Sequence, residues 1–436
     1  MKLRIEKPIY GGASLARVPA DDPTGLAGKA VFVPFALPRE LVEARIAADH
    51  RSYASATLEQ VLEPAPGRVL PGCEYYARCG GCHYQHADYP TQLAMKRDIL
   101  VEALERAQVA PLPEVRVRSA EPWGYRNRVR LHVTRAPHAS LSYREAASHR
   151  DLAVDHCPVA APLLQQAIAA CNRLLQTQPA MAKVLAEVEF FTNGDESALL
   201  VSLFSSTPAK RVDADLSRVV AEALLRELPS LIGVRTFTLD PKTRRTQLAN
   251  SWGEPSLRYV VGEHAYQVSA AAFFQVNRFL LPALLQEVTV QQSGNVAWDL
   301  YAGVGLFAQA LSRQFEQVIA VESSPASAAD LAHNLHGPPH KRIVQDTLRF
   351  LESPANVAQP DLVVVDPPRA GLAADVCERL AAVGTRRIVY VSCDPSTLAR
   401  DLRTLQPSGY RPVSLILLDL FPQTFHLETV ATLERT

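Results

Sequence analysis

The sequence predicts an α/β chain whose C-terminal part is a doubly wound parallel sheet closed by an antiparallel hairpin. A small β-barrel and an α+β segment carrying a cysteine knot precede it. Three observations predict the sheet. From about residue 265, short apolar strands alternate with helical stretches, the pattern of a parallel sheet covered by helices. The glycine turn Asp299-Leu-Tyr-Ala-Gly-Val-Gly305 links the first of those strands to a helix. Two final strand-like runs, Val413–Leu418 and Leu427–Leu433, are joined through Phe421-Pro-Gln-Thr.

The 436 residues are 47% hydrophobic and 21% charged, as in soluble chains with full-sized cores. By length they suggest roughly three domains. No apolar run reaches the roughly 18 residues of a membrane span, and Met1-Lys-Leu-Arg-Ile-Glu-Lys lacks an apolar signal core. A cytoplasmic monomer without membrane contact is therefore expected. In that reducing compartment, seven cysteines suit metal or catalytic roles better than disulfides. Formal net charge is zero, which excludes a uniformly basic coat but not a local basic face. Residues 1–150 carry about five more basic than acidic groups.

In chain order, residues 1–66 read as a small all-β unit. Leu3-Arg-Ile-Glu, Lys29-Ala-Val-Phe-Val and Leu41-Val-Glu-Ala-Arg-Ile are separated by glycine and proline, and Pro64-Ala-Pro-Gly67 reads as a linker. Residues 67–262 form the second expected unit, with cysteines at 73–82, a helix at about 90–108 that can pack on the third unit, and further strands and helices. In the third unit, 263–436, strands are expected at Val296–Asp299, Val318–Glu322, Arg342–Asp346, Asp361–Asp366 and Arg387–Val391. Helices are expected at Leu306–Phe315 and Pro325–Leu335. A closing hairpin on a parallel sheet is the arrangement of the Rossmann-like methyltransferases that use S-adenosylmethionine (SAM).

Ligands in such sheets bind at the C-terminal strand ends. Gly303 and Gly305 have no Cβ, so backbone can approach a cofactor there. A bare Gly-x-Gly is weak evidence, but the register strengthens it. Glu322 ends the next strand, where an acid hydrogen-bonds a ribose; Asp346 ends the third, and Asp366 the fourth. A dinucleotide fits less well, because position 308 is Ala where a third glycine is needed. In Asp366-Pro-Pro-Arg-Ala-Gly371, Arg369 stands where methyltransferases acting on amino nitrogens have an aromatic residue, which weakens an amine substrate.

Cys393 closes the strand Arg387-Ile-Val-Tyr-Val-Ser-Cys. Asp394 can cap the following helix and Pro395 can open it, so the positive helix end is expected to lower the thiol's pKa. Read alone, this cysteine could be a buried structural thiol. In this fold it suits a substrate carbon that needs covalent activation, such as uracil: attack at C6 makes C5 an enolate carbon that can take a methyl group. The C5 proton must then leave, and Glu428 in His426-Leu-Glu-Thr-Val is the candidate base.

Cys73, Cys79 and Cys82 lie within ten residues, and Cys157 in Asp155-His-Cys-Pro158 is the expected fourth ligand. The spacing leaves zinc and an iron–sulfur cluster both open. Cys171 and Cys377 read as core residues. In Glu121–Val133, Arg126, Arg128, Arg130 and His132 alternate with Val129, Leu131 and Val133, and Arg116 and Arg118 alternate just before them. One face is expected to pack and the other to offer phosphates a basic track, with Trp123 and Tyr125 stacking on bases. A solvated edge strand is the plainer reading.

Four stretches resemble the RNA uracil-5-methyltransferases: Phe273-Phe-Gln-Val-Asn277, Asp299–Gly305, Val391-Ser-Cys-Asp-Pro395 and Phe421-Pro-Gln-Thr-Phe-His-Leu-Glu428. The likeness extends through the cysteine knot and the N-terminal unit, which resembles an RNA-binding TRAM domain. It implies Cys393 as nucleophile and Glu428 as base. It implies that Gln275, Tyr301, Glu322, Asp346 and Asp366 line the SAM and uracil site. The spacing Cys-x5-Cys-Gly-Gly-Cys is that of the cluster-bearing members, which implies [4Fe-4S] rather than zinc. The implied product is 5-methyluridine in structured RNA, large-subunit ribosomal RNA first and the transfer RNA T-loop as the alternative. The target uridine must be flipped or unpaired. A cytosine-C5 RNA methyltransferase and a non-catalytic iron–sulfur RNA-binding protein are the remaining alternatives.

Overall fold

The structure is a computed structural model that describes residues 1–21, 25–135, 138–205, 213–240, 243, 246–353 and 357–435. Strands β1 (Lys2–Pro8), β2 (Ala13–Arg17), β3 (Ala30–Pro34), β4 (Leu41–Asp49) and β5 (Tyr53–Glu63) close into a barrel in the order β1-β2-β3-β5-β4. Alternation drives it: Leu3 and Ile5 of β1 point inward against Val31, Val33 and Val42, while Lys2, Arg4 and Glu6 point out.

After the cysteine segment comes helix α1 (Tyr89–Arg106), capped by Asp88, whose side chain accepts from Thr91 N at 2.9 Å. Its Ile99, Leu100 and Leu104 join the apolar layer of the C-terminal sheet. Strand β6 (Val115–Arg118) follows and pairs in parallel with a strand about 300 residues later, Val115 opposite Leu415. The stretch expected to form the middle unit thus supplies a helix and an edge strand to the C-terminal layers.

A second sheet contains β7 (Arg128–Thr134), β8 (Ser140–Arg144), β9 (Asp151–Ala153), β10 (Leu185–Thr192), β11 (Leu199–Ser205), β12 (Leu231–Leu239) and β13 (Thr246–Gly253). Their order is β13-β12-β11-β10-β7-β8-β9. Helices α2 (Pro162–Thr177), α3 (Pro179–Val184) and α4 (Leu216–Leu224) accompany it, and α2 and α4 share its apolar core. The hairpin β14 (Ser256–Val261) and β15 (His264–Ser269) leads into the third unit, its Tyr259, Tyr266 and Val268 buried in that unit's core.

The third unit runs α5 (Leu281–Thr289), β16 (Gly294–Leu300), α6 (Leu306–Leu311), β17 (Phe315–Glu322), α7 (Pro325–Asn334), β18 (Lys341–Val344) and α8 (Thr347–Glu352). It continues through β19 (Leu362–Val365), α9 (Ala374–Val383), β20 (Arg387–Ser392), α10 (Pro395–Leu405), β21 (Tyr410–Leu418) and β22 (Glu428–Arg435). The sheet order is β18-β17-β16-β19-β20-β22-β21-β6, and β22 is antiparallel to both its neighbours. Inner strands are apolar where both faces are covered, β19 throughout and β17 from Val318 to Val321. The helix expected at Leu306–Phe315 ends at Leu311, since Phe315 opens β17 opposite Gly294. The chain leaves β18 and returns beside β16 as β19. That switch point puts the ends of β16, β17, β19 and β20 around one crevice.

Among the described residues no helix is long and apolar enough to cross a membrane.

Candidate active site and cysteine cavity

A cavity of about 660 Å³ occupies that crevice. Gln275, Tyr301, Gly303, Glu322, Asp366, Cys393 and Glu428, all predicted site residues, line it. Gly305 and Asp346 do not.

The turn after β16 puts Tyr301, Gly303 and Gly305 at positive φ, 65°, 56° and 88°. The two glycines serve different ends. A Cβ on Gly303 would project into open space, whereas one on Gly305 would come within 2.8 Å of Leu331 Cδ1. Gly305 thus has a packing task, its missing Cβ letting α7 approach the turn. Glu322 closes β17 and fixes the turn from the side: Gly303 N donates to Oε2 at 2.8 Å and Ser324 N to Oε1 at 2.6 Å. A carboxylate offers about four acceptor positions, so capacity remains for a ligand. Asp346 stands near Tyr301 of the lining. It caps α8, accepting from Leu348 N at 3.0 Å and Arg349 N at 3.3 Å, because Asp before a helix competes for those free amides. Gln275 is buried in the irregular segment between β15 and α5, its carbonyl accepting from Asn127 Nδ2 at 3.1 Å.

Cys393 follows β20. Asp394 caps α10 as expected, accepting from Ser396 N at 2.9 Å and Thr397 N at 3.1 Å, and Pro395 opens the helix. The expected fall in thiol pKa does not follow. Burial, then Glu428 and Asp366, push Cys393 up to about 12 against the pull of Arg369. The cap explains part of this reversal, because the Asp394 carboxylate takes up the amides of the helix end and adds its own negative charge. Glu428, the first residue of β22, is buried and held well above the carboxylate range by burial and by Asp366. Burial pushes Asp366 itself up to about 7.

The lining thus carries Glu322, Asp366 and Glu428 against one Lys or Arg, Arg369, among the described residues. His426 adds no charge at neutral pH, being lowered to about 3 by burial and by Arg369 and other nearby cations. Carboxyl groups raised in this way regain their charge beside a cation, so the site accommodates one, and SAM carries a sulfonium. Arg369, Phe273, Phe421 and His426 all line the cavity without having been among the predicted site residues. Phe273, Phe421 and His426 stand inside the quoted motifs, and Arg369 in the Asp366–Gly371 stretch. Tyr10 of the barrel also reaches the site, its hydroxyl donating to the Cys393 carbonyl at 3.4 Å. Nothing in the sequence signals that contact.

Cys73, Cys79, Cys82 and Cys157 line a second cavity of about 80 Å³, with Gln85, Arg126 and Tyr143. Burial raises the thiols of Cys73, Cys79 and Cys82, the last to about 12. Among the described residues, however, no three His, Cys, Asp or Glu side chains are grouped so as to hold a metal ion.

The expected alternation is present in β7: Val129, Leu131 and Val133 are buried, while Arg128 and His132 are half-buried and Arg130 is exposed. β7 is nevertheless an interior strand between β8 and β10, not an edge strand, and its arginines are engaged within the protein. Arg128 stacks 3.8 Å from the Phe191 ring centre and donates to the Ala272 carbonyl at 2.6 Å. Arg130 stacks 3.7 Å from the Phe204 ring centre and pairs with Glu187. Arg126 turns to the cysteine cavity, its Nε 3.3 Å from the Tyr125 hydroxyl. Tyr125 is fully buried, its hydroxyl donating to the Pro422 carbonyl at 3.1 Å, so it presents no ring to a base. Trp123 lies against Gly72, where a Cβ would meet its ring at 3.2 Å. Arg118 pairs with Glu287 at 2.7 Å, and Arg116 bonds Ser414 Oγ at 3.1 Å.

Comparison with known proteins agrees with this geometry. A family model described as tRNA (Uracil-5-)-methyltransferase matches residues 88–338 and 356–436. An RNA methyltransferase of Aquifex aeolicus, described as uncharacterized, is 32% identical over 100% of this chain and 98% of its own. The 23S rRNA (uracil(1939)-C(5))-methyltransferase RlmD of Pseudomonas entomophila is 35% identical over 95% of this chain and 92% of its own. The crystal structure of Pyrococcus abyssi tRNA (uracil-54, C5)-methyltransferase with S-adenosyl-L-homocysteine superposes with a TM-score of 0.78. It covers 99% of this chain and 100% of its own at 23% identity, a likeness of fold.

Proposed function

The chain belongs to the tRNA (uracil-5-)-methyltransferase family, and on that premise we propose how its residues make 5-methyluridine in RNA. One observation carries the reading: Cys393 and Glu428 meet beside Asp366 in a single cavity whose lining suits a cation. Glu322, Gly303, Tyr301 and Gln275 hold SAM, which supplies an electrophilic methyl group when bound. Cys393 releases its proton to solvent and adds as thiolate to C6 of a flipped or unpaired uracil, the C5–C6 π electrons moving to C5 and O4. Arg369 offsets that charge. Once C5 carries the methyl group, Glu428 removes the C5 proton. The C5–C6 double bond re-forms as the C6–S bond breaks, and the thiolate leaves. The test is RNA carrying 5-fluorouridine, whose C5 fluorine cannot leave as a cation. A SAM-dependent covalent complex that is lost in Cys393→Ala is expected; none on a verified substrate RNA would sink the mechanism.

The proposed substrate is large-subunit ribosomal RNA, because the RlmD relatives match nearly end to end. Mapping 5-methyluridine in cells with and without the gene decides between this and transfer RNA.

At the cysteine cavity we propose a [4Fe-4S] cluster. The four cysteines line one cavity, and the spacing Cys-x5-Cys-Gly-Gly-Cys, which resembles that of the cluster-bearing members, supports this reading. Iron and sulfide in anaerobically purified protein are expected; stoichiometric zinc without iron would overturn the assignment.

A further inference from the structure

The nine residues between β21 and β22 carry Phe421 and His426 of the cavity and lead directly into Glu428. Loops of this kind usually satisfy their own peptide groups or leave them to water. Here other segments supply the partners. The Leu420 carbonyl accepts from Asn277 Nδ2 at 3.0 Å, and the Phe421 carbonyl from Lys96 Nζ at 2.9 Å. The Pro422 carbonyl accepts from Tyr125. Lys96 also pairs with Asp419 at 2.5 Å.

Gln423 is the most constrained member. It is buried and sits at φ 68°, a left-handed conformation that a glutamine seldom takes unaided. Its carbonyl accepts from both His83 N at 2.8 Å and Tyr84 N at 3.0 Å, the two residues after Cys82. The Gln92 side chain of α1 completes the hold. Its Oε1 accepts from Gln423 N at 2.9 Å, and its Nε2 donates to Gln423 Oε1 at 3.0 Å and to the Ala87 carbonyl at 2.9 Å. Gln92 is 1% exposed and does not line the active-site cavity.

Cys393 is held by different means, between β20 and the Asp394-capped α10. Although β20 and β22 are paired, Ser392 opposite Thr429, the loop that Gln92 holds runs into Glu428 and not into Cys393. We infer that Gln92 is a positioning residue for the proton-removal half of the reaction: by holding Gln423 left-handed it keeps Glu428 aimed into the cavity, and it leaves thiol addition untouched. This rests on the roles proposed above for Cys393 and Glu428.

The experiment uses the full chain with SAM and whichever transcript, large-subunit ribosomal RNA or transfer RNA, the wild-type protein methylates. Three quantities are measured for wild type and Gln92→Leu: the rate of covalent complex formation on 5-fluorouridine RNA, turnover on ordinary RNA, and denaturation-resistant complex on ordinary RNA. In Gln92→Leu the first is expected within about two-fold of wild type. Turnover falls about ten-fold, the worth of roughly one net hydrogen bond, and covalent complex accumulates on ordinary RNA. A parallel fall in both rates, or no change in either, overturns the inference. Gln423→Gly keeps the backbone bonds and removes the strain, so it is expected to lie closer to wild type; should Gln92→Leu prove insoluble, Gln92→Glu is read by the same criteria. Failure of the wild-type protein itself to form the fluorinated complex refutes the covalent mechanism instead, a distinguishable result.

Discussion

With Cys393 at about 12, the free protein is expected to resist alkylation at that residue near neutral pH. At pH 8 such a thiol is ionised in roughly one molecule in ten thousand, against about a quarter for an ordinary thiol near 8.5. Its thiolate is the stronger nucleophile. Over about 3.5 pH units with a Brønsted coefficient near 0.45, that returns roughly forty-fold. The net expectation is alkylation about sixty-fold slower than a free cysteine, rising ten-fold per pH unit without a midpoint below about 11. The assay is iodoacetamide labelling of the Cys393 peptide, followed by mass spectrometry across pH. Glu428→Gln removes one of the three carboxylates that raise the thiol, so the profile shifts to lower pH. SAM, which adds a positive charge, shifts it the same way, and S-adenosylhomocysteine, which lacks the sulfonium, shifts it less. A midpoint near 8.5 in the free protein, or a profile indifferent to Glu428→Gln, refutes the reasoning.

Further outcomes follow from the same geometry. Glu428→Gln should trap a covalent complex on ordinary uridine RNA, visible as a retarded band after denaturation; free methylated product at the wild-type rate contradicts its role. Lys96 and Asp419 are both fully buried, so Lys96→Met strands a carboxylate and should destabilise the protein by about 3–5 kcal/mol. Denaturant unfolding measures this, and a loss under about 1 kcal/mol speaks against the pair. Glu322→Gln places an amide group where both Gly303 N and Ser324 N need acceptors, and SAM affinity by calorimetry should fall about ten-fold; an unchanged Kd excludes Glu322 from the site. Cys157→Ser should lower bound iron in anaerobically purified protein, and full iron content would remove Cys157 from the ligand set.

Much of the site was legible because strands of a doubly wound sheet end together. Apolar runs closing on Glu322, Asp366 and Cys393 marked one rim before any contact was known. The Asp394-Pro395 cap was legible for a local reason, since capping needs only the adjacent amides. What failed depended on partners distant in sequence. The alternation of Arg128 and Arg130 was real, but Phe191, Phe204 and Glu187, which occupy that face, come from neighbouring strands. The acidity of Cys393 was misjudged because Glu428 and burial act against the helix end. Asp346 and Gly305 stand in the expected register and also serve a cap and a packing contact. The hold on Gln423 joins it to residues 83–92, a stretch far away in sequence that no periodicity connects to it.

Strand β6 bears on how the chain reaches this fold. Val115 emerges from the ribosome long before Leu415, its partner, and the sheet cannot be finished until almost the whole chain is made. Until then, the rim that β21 will present has no cover. β6 is only four residues long and carries Arg116 and Arg118 at the sheet's outer border, features that discourage another molecule from adding a strand. A fragment beginning at residue 263 would lack this border and leave β21 as a bare template. Self-association of such a fragment, relieved by restoring residues 89–118, is the behaviour this topology dictates.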